Sequence, residues 1–551
     1  MTAPSAVILA ADYYLHNFER LINAAARYLD ILPAEPLAAL NQYQQLSRDA
    51  RMLLVRLLSR KGLYFRREKL HYIEISELDN AANELIFSGL VSDTPPAADQ
   101  LFSLLTLAEL KPVAATVGIN ASTKAQLLMA LGELTNIDDV ALRFSELLGL
   151  QWLSLQCQSL LELLLLLYFG NNYQDLSQFV LSDIGMQPFE QYQIRPADRP
   201  YQTAADIEAA LRLSELSKAW HDAIERKQPL NCEDVLAKLP ATQNNRILER
   251  RRQRMLFVIG RQAERAKALA LAQQCYLQCD SWAAQERLSR VYEKTNVAAA
   301  ATLLPQLWHA APNETLRLSV QRICKRVAKQ TCAEELTSLS VQAVQYQPPS
   351  KMELSLPYVA GVSVEQQLVQ YLSGQGACAY FCENSLLCGI FGLAFWDIIF
   401  APVIGAFDNP YQRAPRDMYQ PSFAEERQTL IEQRFAALAT GDFGIIKQHF
   451  TEKQGLTNDW VNWRVLTEDV LAQALSNFSA RFICAVCQRL LQDPAHYRSG
   501  QPDIILFESD GAPQFIEVKG PGDTLADHQG YWLNFLAQFY PASVCYVQWQ
   551  P

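Results

Sequence analysis

No stretch of this 551-residue chain is long and apolar enough to cross a bilayer. The most apolar run, Leu160 to Phe169, is interrupted by Glu162 and falls short of the roughly 20 residues a membrane helix needs. No membrane partner is therefore expected. The chain also lacks a Walker A loop and a Rossmann glycine fingerprint, so ATP-driven translocation is not supported. It has one Cys-x-x-Cys, Cys484-Ala485-Val486-Cys487, but no second pair stands near it at zinc-ribbon spacing. That pair, like Cys378, Cys382 and Cys388, reads as buried structural thiols. No secretory leader opens the sequence, so all 12 cysteines are expected to be reduced in a cytosol. Positive charge is scarce as well. Lys and Arg number 48 against 58 Asp and Glu, a net charge of −10. A uniformly basic nucleic-acid coat is excluded, and any phosphate-binding surface must be local.

What is present is ample core-forming material, with 50% hydrophobic residues. The length is too great for one core, and three or four domains are expected. Residues 1–190 are mostly helix-patterned. Within them, Arg48, Arg51, Arg56, Arg60, Lys61, Arg66, Arg67 and Lys69 gather around Tyr64 and Phe65, while Leu53, Leu54, Leu57 and Leu58 supply an apolar helix face. Such a concentration against an acidic average suggests a phosphate-binding surface, the alternative being a solvated helix face. Gln187 to Pro200 reads as a linker. Residues 200–345 pattern as helical pairs with a second basic cluster, Arg246, Arg250, Arg251, Arg252, Arg254, Arg261 and Arg265. They form either a scaffold with some backbone contact or a surface for protein partners. Gln347-Pro348-Pro349 marks the next boundary, and a third domain is expected over 360–551.

That last domain carries the chemistry. Pro502-Asp503 opens an apolar run, Ile504 to Phe507. A turn, Ser509-Asp510-Gly511, follows, and a second apolar run ends in Glu517-Val518-Lys519. Side chains alternate along a strand, so Glu517 and Lys519 share a face and Val518 points away. Pairing of the two runs as a hairpin brings Asp503 beside Glu517. Two carboxylates on one edge suit Mg²⁺ or Mn²⁺, one or two ions, with the Val518 carbonyl as a further oxygen ligand. Lys519 would orient a water or stabilise charge growing on phosphorus. The pattern implies metal-assisted phosphodiester hydrolysis. The bland alternative is a strand cap and a solvated ion pair.

The same residues resemble the VRR-NUC branch of the PD-(D/E)xK nucleases. The resemblance rests on Ser499-Gly500-Gln501-Pro502-Asp503, Glu517-Val518-Lys519-Gly520-Pro521, and His528-Gln529 with Trp532. Cys382-Glu383-Asn384-Ser385, running into Phe391 through Phe400, narrows it to the Fanconi-associated nuclease family. The resemblance implies a multidomain chain, mostly α-helical in its N-terminal and central regions, with a C-terminal α/β restriction-endonuclease-like nuclease domain. It implies that Glu383 completes the metal site with Asp503, Glu517 and Val518. Asp397, the rival, is better read as a structural carboxylate. Gln529 would touch the active-site lysine or a phosphate, and His528 reads as a surface residue. Residues 101–131 resemble a SAP motif, with Lys111 and Lys124 toward phosphate, Asn120 or Ser122 as a cap and Pro112 shortening the first helix or beginning its exit. A plain helical hairpin fits them nearly as well. Ala263 to Trp308 resembles tetratricopeptide hairpins. In the Pro-rich passage after the apolar helix, Arg413 and Arg416 either contact phosphate or pair with acids.

The family implies a structure-specific DNA nuclease that cuts near 5′-flap junctions, degrades 5′ to 3′, and serves interstrand crosslink repair. Branched or flapped duplex DNA is the expected partner, and a monomer in the bacterial cytoplasm, nucleoid-associated when on DNA, the expected state. The alternatives are a four-way-junction resolving enzyme and a catalytically silent DNA-binding adaptor.

Overall fold

The computed structural model describes residues 10–134, 137–171, 188–342, 347–508 and 511–550. Ser509 and Asp510 of the expected turn, Gln187 of the expected linker and residues 343–346 lie outside the described residues. The chain divides into two units. One is Met1–Met186 with Tyr201–Ser214, and the other is Gln187–Pro200 with Glu215–Pro551.

In the first unit, helices Tyr13–Ala25, Ala34–Gln45, Arg48–Leu58 and Leu78–Phe87 pack with a small antiparallel sheet. Its strands are β1 (Tyr64–Arg66), β2 (Val91–Ser92) and β3 (Trp152–Leu155), in the order β1-β3-β2. Ser47 sits in the two-residue turn between the second and third helices, where its hydroxyl accepts from the Ala50 N–H. Helix Arg48–Leu58 then buries Ala50, Met52, Leu53, Leu54, Val55, Leu57 and Leu58. The SAP-like stretch forms helices Leu107–Thr116 and Lys124–Gly132. Two details differ from expectation. Pro112 does not shorten the first helix, which a Thr106–Glu109 capping box starts and which runs on to Thr116. The cap of the second helix is Thr123, which accepts from Gln126 N–H, and not Asn120 or Ser122. The apolar helix Gln158–Phe169 is buried over most of its length and stops at Gly170, whose φ of 69° takes the left-handed C-cap conformation. Among the described residues no single helix is long and apolar enough to cross a membrane.

The second unit holds both the helical pairs and the nuclease-like sheet. Helices Arg246–Arg265, Leu269–Tyr276, Trp282–Thr295, Val297–His309, Glu314–Thr331 and Glu334–Val341 follow one another, each packed on its neighbour. Asn245, Ser281, Asn296 and Asn313 cap four of them through side-chain oxygens. Gly260 admits the Tyr276 ring, since a Cβ there would meet it at 2.7 Å. The helices are tied to the sheet region by Glu314, which pairs with Arg489 at 2.9 Å and accepts from the Tyr497 hydroxyl at 2.7 Å.

The sheet has five strands: β4 (Ser350–Leu356), β5 (Cys378–Phe381), β6 (Ile504–Phe507), β7 (Gln514–Lys519) and β8 (Ala542–Trp549), in the order β4-β8-β7-β6-β5. β8 runs parallel to both β4 and β7, while β5–β6 and β6–β7 are antiparallel. β4 lies upstream of the expected boundary at 360. Alternation decides which face each residue serves. Ile504, Leu506, Ile516 and Val518 pack with Leu368 and Val547. Ile505, Phe507 and Phe515 pack on the other side with Trp532, Leu533 and the apolar helix Leu386–Ala394. That helix is buried throughout. Gly389 and Gly392 let it sit against Leu466, Trp460 and Val461, where a Cβ would come within 2.7 Å.

Candidate active site

Asp503 sits at the foot of β6, and Glu517 and Lys519 lie at the end of β7 on the face of Phe515. All three are largely buried, Glu517 to 1% exposure. One Asp503 carboxylate oxygen accepts from the Val518 backbone N–H at 2.7 Å, so β7 itself positions the aspartate. One Glu517 oxygen accepts from Lys519 Nζ at 2.7 Å and from Gln529 Nε2 at 2.5 Å. Gln529 lies in helix Asp527–Leu536, and its own oxygen accepts from the Ala526 N–H at the helix start. It thus holds the glutamate, where contact with the lysine or a phosphate was expected. His528 is half-buried, with its ring against Gly500, whose φ of 81° and missing Cβ make room for it.

Glu383 lies in the turn between β5 and helix Leu386–Ala394. Two hydrogen bonds bring that turn to the Pro-Asp segment. Cys382 N–H donates to the Asp503 carbonyl at 2.8 Å, and Gln501 N–H donates to Asn384 Oδ1 at 3.0 Å. Asn384 takes a φ of 50°, the left-handed region that asparagine tolerates. The Glu383 side chain is exposed and accepts from Asn384 Nδ2. Asp397 is elsewhere, bound to Arg434 at 2.7 and 3.0 Å, which is the structural role expected of it. Arg413 and Arg416 are likewise paired, with Asp459 and Asp408.

The electrostatics follow from burial. Burial pushes Asp503 up to about 6, with the charges of Glu383 and Glu365 adding to it and the Val518 N–H opposing. Burial pushes Glu517 up to about 7, with Asp503 adding and Lys519 opposing. Glu365, in helix Val364–Gly374, carried no mark in the sequence. Only a chain fold that brings the helix start to Gly520 reveals it, the Val364 methyl lying 3.8 Å from where a Gly520 Cβ would be. Among the described residues, no three His, Cys, Asp or Glu side chains stand close enough to form a ready-made metal cage. The donor set nonetheless fits a divalent cation. The second Glu517 oxygen is buried and has no hydrogen-bond partner, a costly state for a carboxylate that a cation beside Asp503 would relieve.

The basic residues of the first unit are mostly occupied. Arg48 pairs with Asp12, Arg51 with Glu19, Arg56 with Glu74, Arg66 with Glu68 and Glu109, and Arg67 with Asp79. Lys69 lies near Glu109, and Lys124 donates to the Ser103 carbonyl. Arg60 bonds the Tyr72 hydroxyl and stacks over Phe65. Lys61 and Lys111 have no ion-pair partner among the described residues. Much of the positive charge legible at 48–69 is thus neutralised within the unit.

A mixed sheet presenting a buried aspartate on one strand and Glu-x-Lys on the next, backed by a glutamine helix, defines a nuclease domain. Comparison with known proteins agrees. The VRR-NUC domain family matches residues 444–549, and the family described as FAN1, HTH domain matches residues 12–92. A Fanconi-associated nuclease 1 homolog of Pseudomonas aeruginosa is 32% identical over 98% of this chain and 96% of its own length. An Arabidopsis thaliana homolog is 25% identical over 95% of this chain and 65% of its own. A crystal structure of paFAN1 bound to 2nt 5′ flap DNA with gap superposes with a TM-score of 0.81 at 31% identity, covering 99% of this chain and 100% of that one. The chain belongs to the Fanconi-associated nuclease 1 family, and it is a nuclease. The helix-turn-helix match at 12–92 went unread in the sequence. Its available signal was Ser47 as a cap between two helical runs two residues apart.

Proposed function

We propose that this protein is a divalent-metal-dependent, structure-specific DNA nuclease. It cuts near 5′-flap junctions, degrades DNA 5′ to 3′ and serves interstrand crosslink repair. The flap preference is supported by the solved relatives, described as bound to 1nt and 2nt 5′ flap DNA. The observation that carries the chemistry is Glu517. One of its oxygens is held by Lys519 and Gln529, and the other is buried and open beside Asp503.

Glu383, Asp503, Glu517 and the Val518 carbonyl would hold one or two Mg²⁺ or Mn²⁺ ions. A bound ion supplies Lewis-acid polarisation of the phosphoryl oxygen and a lowered pKa for water. Gln529 fixes the Glu517 rotamer, so the carboxylate stays aimed at the scissile phosphate without reorganising. Lys519, bonded to Glu517, directs its remaining N–H donors toward the attacking water and the charge that develops on the phosphoryl oxygens. The Val518 N–H holds Asp503 against the field of its neighbours. We read the protein as a cytoplasmic one that joins the nucleoid when on DNA.

The test is incubation of the purified protein with end-labelled 5′-flap, 3′-flap, four-way-junction and linear duplex DNA, with Mn²⁺ or with EDTA. Cutting near the 5′-flap junction only with Mn²⁺ is expected. Cutting confined to four-way junctions would overturn the substrate, and binding without cutting of any DNA would overturn the enzyme.

A further inference from the structure

Residues 246–331 hold sixteen Lys and Arg against six Asp and Glu, a surplus of ten positive charges. The whole chain carries −10, so the rest of it carries a deficit of twenty. The contrast with the N-terminal region is sharp, since residues 1–186 hold thirteen basic against twenty acidic residues. Five of the six acids in 246–331 are already engaged by arginines: Glu249 by Arg252, Glu264 by Arg287, Glu286 by Arg290, Glu293 by Arg326 and Glu314 by Arg489. Outside the segment Glu426 takes Arg246, while among the described residues Arg250, Arg254, Arg265 and Lys294 have no ion-pair partner.

The surplus is also ordered. Along helix Arg246–Arg265, the side chains of Arg250, Arg254, Arg261 and Arg265 fall within about 60° of arc and extend over roughly 22 Å at 3.6 residues per turn and 1.5 Å per residue. Arg254 and Arg265 are exposed, Arg250 half-exposed, and none of the three has an ion-pair partner among the described residues. At its C-terminal end the stripe runs into a second basic feature. Arg261 and Arg287 share the Glu264 carboxylate, and Glu264 and Arg287 line an open cavity of about 460 Å³ with Arg290, Glu293, Lys294 and Arg326. Lys294 stands in that cavity without an ion-pair partner among the described residues. Arg326 grips Glu293 through Nε and Nη2, and Arg290 bonds Glu286 and Ser319, so the cavity wall is a fixed array of guanidinium groups.

We propose that this face of the helical pairs is a phosphate-binding rail for one duplex arm of the DNA substrate. The Arg250–Arg265 stripe follows the backbone, and Lys294 anchors a phosphate in the cavity at its end. This rests on the reading that DNA is the substrate. The length suits a duplex. Roughly 22 Å corresponds to about six or seven base pairs at 3.4 Å per nucleotide along one strand. Flexible arginines at a helical spacing neutralise phosphates without reading bases, which is what a nuclease selecting for structure requires. The glutamates that hold the cavity arginines fix those guanidinium groups in place. The rail shares a folded unit with the nuclease sheet and is fixed to it through Arg489–Glu314, so grip at the rail sets the position of the cut strand.

The test is fluorescence anisotropy of the full-length protein with a labelled 5′-flap DNA in EDTA across a salt series. It compares the natural protein with R250A, R254A, R265A and K294A, singly and together. None of these removes an ion pair, and circular dichroism checks folding. Removing one phosphate-neutralising side chain should lower the magnitude of the log Kd against log salt slope by about 0.9, so the fourfold variant should lose about 3 to 4 and bind far more weakly at 0.15 M salt. K294R should keep the slope. With Mn²⁺ and saturating protein, the fourfold variant should still cut, because the site is intact. An unchanged slope in a variant set whose parent binds and cuts flap DNA would overturn the rail and leave this face to an acidic protein segment. A parent that neither binds nor cuts DNA would instead overturn the substrate reading beneath it.

Discussion

Replacing Glu517 with glutamine tests the electrostatic account of the site in the absence of metal. In the folded protein the Glu517 carboxyl is raised from its ordinary 4.5 to about 7, chiefly by burial. The folded state therefore binds the proton more tightly than the unfolded chain. The stability this contributes is fully present below pH 4.5 and is lost as pH rises through 7. At 1.36 kcal/mol per pKa unit, the loss between pH 4.5 and pH 8 is about 3 kcal/mol. Glutamine does not titrate. Its own costs, a buried amide opposite an unpartnered position and a lysine without its partner, are the same at both pH values and cancel in the comparison. Urea unfolding of both proteins in EDTA should therefore show the natural protein losing about 3 kcal/mol more than E517Q between pH 4.5 and pH 8. The two units of the chain need not unfold together, so the relevant transition is the one in which the β7 amides lose hydrogen-exchange protection. Mn²⁺ at pH 8 should stabilise the natural protein and leave the variant nearly unchanged. Parallel pH curves for the two proteins would refute the claim that Glu517 is held dry and near other carboxylates.

Three further outcomes follow from the same geometry. Asp503→Ala and Lys519→Ala should each abolish cleavage of 5′-flap DNA while keeping affinity in EDTA, and normal cleavage by either would remove it from the site. Gly500→Ala should destabilise the protein by about 2–4 kcal/mol and depress cleavage, because a Cβ there meets His528 at 2.4 Å and the φ of 81° is strained for alanine; calorimetry and the flap assay check both. Arg489→Met should cost about 3 kcal/mol, since Glu314 loses its cation and Tyr497, Trp532 and Phe535 lose the guanidinium packed over their rings; a melting temperature within a degree of the natural protein would contradict the clamp.

Much of the site was legible because strand chemistry is local. Asp503 and Glu517-Val518-Lys519 lie within seventeen residues, and the period of two alone put Glu517 and Lys519 on one face and Val518 on the other, as the structure has them. The apolar helix after Glu383, the Trp532 helix and the central helical pairs were legible for the same reason, since hydrophobic period and caps are read within a few turns.

What tertiary structure alone decided concerns partners distant in sequence. Gln529 turns to Glu517 and not to Lys519, because the sheet and the Asp527–Leu536 helix bring them together across the buried face. Glu365 enters the field of Asp503 only because its helix begins beside Gly520. The value of a positive charge was the least legible quantity of all. Arg48, Arg56, Arg66 and Arg67 look like a phosphate surface in the sequence, yet each meets a carboxylate that the fold delivers. Arg250, Arg254 and Arg265 look similar and meet none among the described residues. A sequence determines which charges exist and which helix face they share. Whether a charge is left over for a ligand depends on which acids the folded chain places opposite it, and Coulomb interactions fall off over distances that only the packed structure sets.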